Sequence, residues 1–196
     1  VLFRSAGRES EGKCFRLFTE DSFLSLREDS IPEIQRCNLA SILLQLKTIG
    51  INDVLNFNYL QAPSRDSLKR ALQQLLMLGA VDRRSGALTA LGRSMATLPL
   101  DPVYARLLIL SKDFHCTAEI LDIVAVLSVE TIFYSPREER EKANVSHRRF
   151  ASVYGDHLTF LNVFQAYREA RGSQQWCYDN FINPRSMKTA MEIRKQ

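Results

Sequence analysis

The fold of this chain is decided by residues 63–96, which read PSRDSLKRALQQLLMLGAVDRRSGALTALGRSMA. The first part of this stretch predicts a helix over 64–78 that ends at Gly79. Ser64 can accept hydrogen bonds from the free N–H groups of the first helical turn. The apolar residues of the segment recur at the spacing of one helix face. These predicted core residues are Leu68, Leu72, Leu75, Leu76 and Leu78.

The rest of the same stretch predicts a hairpin followed by a short helix. The hairpin covers residues 80–89 and turns at Ser85-Gly86, and Thr89 caps a helix over 90–96. Upstream, apolar residues at helical spacing predict another helix between Pro32 and Gly50. Helix, helix, two-stranded wing and helix is the order of a winged-helix module, although a plain helical bundle fits this pattern nearly as well.

The remaining residues predict one short strand and a series of helices. Residues 12–18 alternate apolar and basic side chains, which is typical of a half-buried strand. Thr117 and Asp156 are predicted helix caps. From Pro102 onward, the predicted helices are 102–112, 117–128, 136–151 with a break, 156–170, 174–181 and 185–196.

Composition favours a folded, mildly basic protein. Of the 196 residues, 45% are hydrophobic, and 26 basic residues against 22 acidic ones give a formal charge of +4. Such a balance permits a polyanionic partner without requiring one. The four cysteines lie far apart, so neither a zinc ribbon nor a dithiol redox site is predicted, and reduced intracellular thiols are expected. Because the sequence does not begin with methionine, we expect it to be part of a longer protein.

No familiar catalytic pattern occurs in the sequence. There is no GxxxxGK[ST] loop to cradle ATP phosphates, no GxSxG elbow and no HExxH site. The three histidines are not spaced as metal ligands on one helix face, so no metal site is predicted. The longest apolar run, residues 120–129, is too short to span a bilayer, so no membrane partner is expected. Binding is therefore the favoured kind of function.

Several short motifs, in order along nearly the whole chain, resemble the C-terminal part of DEAH-box RNA helicases of the splicing and ribosome-biogenesis type. Each motif is short, and their order and spacing carry the resemblance. The matching residues are Ala6-Gly7-Arg8, Gly12–Leu17, Ile31–Arg36, Asn38-Leu39, Leu88–Gly92, Pro99–Pro102, Gly155–Thr159 and Trp176–Ile182.

The resemblance implies a mainly α fold in three parts. Residues 1–30 would be the tail of the second RecA-like motor domain, including a short β-strand remnant. Residues 31–100 would form the winged-helix domain and residues 101–196 a helical ratchet bundle. An OB-fold domain would follow the last residue of this sequence.

The resemblance also implies the function of the whole helicase. ATP and Mg²⁺ would bind to the motor domains, and this chain alone would bind neither and be inactive. Arg8 matches the last arginine of the ATP-contacting motor motif, while residues 1–5 depart from that motif. The implied partners are single-stranded RNA, the RecA-like motor domains and a glycine-rich-patch activator protein, and the implied location is the nucleus. The RNA contacts expected on this chain are His157, Thr159, Asn180 and Arg185.

Two alternatives remain open at the level of sequence. A stand-alone winged-helix DNA-binding regulator would use helix 64–78 for recognition, with Arg65, Lys69 and Arg70 facing a groove. A protein-interaction scaffold would use the same elements without touching nucleic acid. The aromatic residues near Arg185, among them Trp176, could either stack on bases or belong to the core.

Overall fold

The computed structural model describes residues 11–13, 15–27 and 30–196, which form two compact units. One unit contains the described residues up to Asn38 together with Asn58–Ser64, and the other contains Leu39–Phe57 and Arg65–Gln196. In these residues the only β pairing consists of two isolated antiparallel bridges. The helices are α1 (Glu20–Leu24), α2 (Ala40–Thr48), α3 (Arg65–Met77), α4 (Ala90–Ala96), α5 (Pro102–Ser111), α6 (Thr117–Leu127), α7 (Arg140–Arg148), α8 (Asp156–Glu169), α9 (Gln174–Asp179) and α10 (Pro184–Lys195).

The predicted mainly helical fold is confirmed, but the predicted strand at residues 12–18 is wrong for the residues described there. Those residues adopt no regular structure, and Phe15 and Leu17 are 84% and 100% exposed. A strand needs a neighbour to satisfy its backbone N–H and C=O groups, and the described residues supply none to this segment. None of the helices described is long and apolar enough to cross a membrane.

The helix predicted between Pro32 and Gly50 is interrupted. Only a single 3₁₀ turn forms at Glu33–Gln35, and the α-helix begins at Ala40. Its predicted end is confirmed, because Gly50 adopts a φ of +98° and its N–H donates to the carbonyl of Lys47. Apolar spacing revealed the second half of this segment but not the break before it.

The winged-helix elements pack around a small apolar core. Helix α2 contacts α3, α4 and α5, and Leu43, Leu75 and Met95 are fully buried. The predicted wing is present in a minimal form: Val81 pairs with Leu88 in a single antiparallel bridge. The order of elements predicted for a winged helix is therefore observed, with a bridge in place of two full strands.

The buried face of α3 is narrower than predicted. Leu68, Ala71 and Leu75 are buried, whereas Leu72 is half-buried and Leu76 is 37% exposed. A helix that contacts the core along one stripe buries positions three and four residues apart, and Leu72 and Leu76 lie at the edge of that stripe. The assignment of Leu76 to the core is therefore wrong.

Helices α6, α8 and α10 surround the larger core of the chain. Phe164, Val163, Ile182 and Met187 are fully buried within it. Helix α6 packs against both α8 and α10, and the second bridge joins Phe133 to Ile182. This core fixes the positions of α8 and α10, which carry three of the predicted contact residues.

Two predicted caps are shifted by one residue. Thr117 and Asp156 are the first residues of α6 and α8, and the N-cap positions belong to Cys116 and Gly155. Gly155 adopts a φ of +112°, a backbone conformation that L side chains rarely adopt. The predicted cap at Thr89 is confirmed, since its hydroxyl accepts from the N–H of Gly92. Asp101 caps α5 by accepting from the N–H of Val103, a role that the sequence analysis did not predict.

Candidate nucleic-acid interface

A surface groove runs between the end of α7 and the start of α8. It encloses about 470 Å³ and is bordered by the turn that connects the two helices. Six of its eight lining residues are polar, and Phe133 supplies an apolar ring. The lining residues are Phe133, Asn144, His147, Arg148, Ala151, Ser152, Asp156 and Thr159.

The connecting turn is held by its own hydrogen bonds. The N–H of Ser152 donates to Thr159 Oγ1 at 2.9 Å, and the N–H of Gly155 donates to the carbonyl of Ser152 at 3.2 Å. The N–H of Tyr154 donates to Ser152 Oγ at 3.2 Å. These bonds tie the turn to the first helical turn of α8, so the border of the groove is preorganised.

Basic side chains dominate the α7 side of the groove. Arg148 and Arg149 end the helix and are both exposed. His147 is half-buried; its Nε2 lies 3.0 Å from the carbonyl of Phe181, and a carbonyl can only accept, so Nε2 carries the proton. Asp156 is the one carboxylate in the lining. The groove can therefore receive an anion beside Arg148 without displacing an existing ion pair of that arginine.

The structure brings one of the predicted contact residues into this groove and places a second beside it. Thr159 lines the groove, but its hydroxyl also donates to the carbonyl of Gly155 at 3.3 Å and accepts from Ser152. His157 is exposed on the first turn of α8 and is not part of the lining. Sequence reasoning missed His147 and Arg148, although the basic run at the end of helix 136–151 was a usable signal.

Asn180 has a structural position that sequence reasoning did not foresee. Its side chain is buried, and its amide donates to the carbonyl of Trp176 at 2.8 Å. Its amide oxygen accepts from the hydroxyl of Ser146 at 3.3 Å, a bond that joins α9 to α7. Because the side chain is buried, it offers little surface to RNA, and Asn180 is not carried into the proposed contacts.

Arg185 lies apart from the groove lining. It is exposed at the start of α10 and borders a second depression of about 340 Å³. The carboxylate of Glu130 lies in the same lining, which partly offsets the positive charge there. Arg8 lies outside the residues that the structure describes.

Trp176 belongs to the core. Its ring centroid lies 5.8 Å from that of Phe150 and 6.0 Å from that of Tyr167. Burial raises the pKa of the Tyr167 hydroxyl, as expected beside a packed apolar cluster. The core alternative is thus the correct one for this tryptophan.

The predicted DNA-recognition residues lie on α3. Arg65, Lys69 and Arg70 are exposed there. Lys47 on α2 is, by contrast, a buried basic residue. Its ammonium donates to the carbonyls of Asn52 at 3.0 Å and Gly86 at 2.7 Å. Burial lowers the pKa of Lys47. The bond to Gly86 therefore connects α2 to the wing.

The residues that the structure describes form no recognisable site for ATP or Mg²⁺. The sequence has no phosphate-binding loop, and throughout residues 11–13, 15–27 and 30–196 no group of three histidine, cysteine, aspartate or glutamate side chains could hold a metal ion. We derive no chemical step for this chain from either group.

Comparison with known proteins identifies the class. Residues 71–100 match the winged-helix part of the helicase associated domain (HA2), and residues 101–160 match its ratchet-like part. The chain therefore carries the helicase-associated winged-helix and ratchet-like domains found in DEAH-box RNA helicases.

Individual relatives match over almost the entire chain. It is 42% identical over 193 residues to ATP-dependent RNA helicase DHX33 of Mus musculus, covering 97% of this chain and 28% of the relative. It is 46% identical over 205 residues to pre-mRNA-splicing factor ATP-dependent RNA helicase DEAH10 of Arabidopsis thaliana, covering 97% and 29%. The chain spans less than a third of the length of these relatives. These similarities do not favour a stand-alone DNA-binding regulator.

Proposed function

We propose that the chain is the RNA-gripping accessory region of a longer ATP-dependent RNA helicase, in which it helps to bind and translocate single-stranded RNA during remodelling such as splicing or ribosome biogenesis. The observation that carries this proposal is the groove between α7 and α8 in a chain whose relatives are named as RNA helicases. The groove is lined by Arg148, which forms no ion pair with any described residue. Contacts to phosphates are the same along any sequence, as a translocating motor requires.

ATP hydrolysis would occur elsewhere in that longer protein. Its RecA-like motor domains would bind ATP and Mg²⁺, and Arg8 would contribute the last arginine of the motor motif. The chain itself would bind neither group and hydrolyse no ATP. Residues 1–30, 31–100 and 101–196 would be the motor tail, the winged helix and the ratchet bundle, and an activator with a glycine-rich patch would dock on the winged helix. The nucleus is the proposed location.

The proposed RNA contacts follow from exposure. Arg148 and Thr159 line the groove, His157 is exposed next to it, and Arg185 borders the second depression. Arginine side chains would neutralise phosphates, and each neutralised phosphate releases counterions, so affinity would fall as salt rises.

RNA binding by the purified chain tests this proposal. Fluorescence anisotropy with a labelled oligouridylate should show binding that weakens between 50 and 200 mM salt, by roughly threefold for each phosphate contacted. Arg148→Glu should weaken binding, whereas Lys112→Glu, an equal charge change at an exposed residue outside both linings, should have little effect. Absence of RNA binding at low salt would contradict the proposal.

The longer protein allows a second test. There, Arg185→Glu should lower RNA affinity and the stimulation of ATP hydrolysis by RNA. Unchanged RNA affinity in this variant would remove Arg185 from the proposed contacts. Robust ATP hydrolysis by the present chain alone would contradict the proposal that ATP is hydrolysed by the motor domains.

A further inference from the structure

We propose that Tyr154 is a stacking platform for one nucleobase of the bound RNA strand, positioned at the border of the groove between α7 and α8. The inference rests on the proposed function and deepens it, because it assigns a base contact to one residue. The neighbouring phosphates would meet Arg148 and Arg149.

Tyr154 is among the most exposed aromatic residues of the described chain. Its side chain is 85% exposed, and the adjacent Val153 is 94% exposed. A ring this exposed can present its face to a planar partner, and the exposed faces of aromatic rings are surfaces on which nucleobases stack. In the described part of the chain, the ring pairs involve other residues and none covers the ring of Tyr154.

The backbone under Tyr154 is fixed. Tyr154 lies two residues from Ser152 and two from Asp156, and both of these line the groove. Its own N–H is bound to Ser152 Oγ, and Gly155 closes the turn at a positive φ. A ring presented from a preorganised turn loses little conformational entropy when a base stacks on it.

Two arginines precede Tyr154 by five and six residues in the sequence, and one of them, Arg148, lines the groove. Arg148 and Arg149 are exposed, and neither takes part in an ion pair with any described residue. Proteins that bind single strands combine such cations, which follow the phosphates, with aromatic rings on which bases stack. Six of the eight lining residues are polar, and the cation of Arg148 among them favours a phosphate-bearing strand as the occupant.

Three substitutions at Tyr154 separate stacking from other contacts. We measure affinity for a labelled oligoadenylate of about ten nucleotides by anisotropy. Tyr154→Ala should weaken binding about fivefold or more, since a base–aromatic stack contributes on the order of 1–3 kcal/mol. Tyr154→Phe should bind within about twofold of the natural protein, because the ring remains. Tyr154→Leu should behave like Tyr154→Ala, because an apolar side chain without a π-face is left.

Base stacking on Tyr154 can also be detected by fluorescence, with a second exposed ring as the control. An RNA that contains 2-aminopurine should lose fluorescence on binding the natural protein and Tyr154→Phe, but not Tyr154→Ala, because stacking quenches the fluorophore. Phe114→Ala removes another exposed ring, 76% exposed, that lies outside the groove lining, and should leave affinity unchanged. Matching thermal unfolding curves for all variants would confirm that each is folded.

The failures of the two proposals are distinguishable. If Arg148→Glu weakens binding but Tyr154→Ala does not, stacking is overturned and the RNA-gripping function stands. If Tyr154→Leu retains full affinity, the contact is apolar rather than stacked, and the inference is overturned. If the natural protein binds no single-stranded RNA, the proposed function fails and the stacking role fails with it.

Discussion

Asp122 on α6 and Arg168 on α8 form an ion pair in which Arg168 Nη1 lies 3.3 Å from Asp122 Oδ2. The carboxylate is almost completely buried, and Arg194 on α10 donates to its other oxygen. Three helices that surround the larger core therefore meet at one buried charge. A buried carboxylate is stable only while it is paired, so the two arginines fix how α8 and α10 pack on α6.

Removing both arginines should destabilise the protein more than removing the aspartate. In the variant with Arg168→Ala and Arg194→Ala, Asp122 keeps its burial without a cation, and we expect a loss of about 3–5 kcal/mol in the free energy of unfolding. Asp122→Ala should cost less, because the arginine side chains are 45% and 26% exposed and can be solvated by water. Urea denaturation measures both. Equal losses would show that Asp122 is not the energetic centre of the cluster.

Because Leu75 lies in the core and Leu76 does not, these two neighbouring leucines of α3 should contribute differently to stability. Leu75→Ala should cost about 2–5 kcal/mol, because Leu75 is fully buried and its removal leaves a cavity. Leu76→Ala, at a residue that is 37% exposed one position further on, should cost clearly less. Chemical denaturation compares the two variants, and similar losses would mean that the helix face is assigned wrongly.

Gly92 marks a close approach between α4 and the wing. A Cβ at this position would lie 2.1 Å from the carbonyl oxygen of Ala80, which also accepts hydrogen bonds from Thr89. Although alanine usually favours a helix over glycine, we expect Gly92→Ala to destabilise the protein by about 1–3 kcal/mol through steric overlap.

The matched control for Gly92 is Ser94→Ala on the same helix, at an exposed position. It should change the free energy of unfolding by no more than about 0.5 kcal/mol. Thermal unfolding separates the two. A Gly92→Ala variant as stable as the natural protein would show that the wing does not press on α4.

The cysteines should differ in reactivity. Burial raises the pKa of the Cys177 thiol to about 11, whereas Cys37 is exposed. Since only the thiolate reacts, alkylation at pH 8 should modify Cys37 in the folded protein and Cys177 only after unfolding. Peptide mass spectrometry identifies the modified residue, and comparable rates at Cys37 and Cys177 would contradict the packed position of Cys177.

The same thiol makes a pH-dependent contribution to stability. The pKa of Cys177 is higher in the folded protein than in the unfolded chain, so the folded state retains the proton more strongly. Its contribution is therefore complete below the ordinary thiol pKa of about 8.5 and is lost as pH rises towards 11. Cys177→Ser should show a smaller loss of stability over this interval than the natural protein.

The spacing of apolar residues predicted helix bounds best where one helix face is apolar. Helices α3, α5 and α8 were predicted to within one or two residues, because their apolar spacing and their flanking proline or glycine residues are local signals. The strand at residues 12–18 was not, since the partner that a strand requires is not encoded in its own alternation. The break before α2 was missed for a related reason: apolar spacing continued across it by coincidence.

The candidate site was only partly predictable. The motif at residues 155–159 led to Thr159, because a glycine followed by the first turn of a helix is a local feature. The burial of Asn180 could not be foreseen, because its partner, Ser146, is 34 residues away in sequence and only the folded chain shows that bond. Tyr154 and Arg148 are candidate RNA contacts because they are exposed at or near the groove, and sequence spacing cannot reveal exposure.

We propose that a single RNA strand binds at the groove between α7 and α8. Its position can be mapped by ultraviolet crosslinking of the purified chain to a uridine-rich single strand, followed by mass spectrometry of the crosslinked peptides. Crosslinks within residues 144–159, lost in Tyr154→Ala and Arg148→Glu, are the predicted result. Crosslinks confined to α3, at Arg65 to Arg70, would contradict it and point to the winged helix as the nucleic-acid surface.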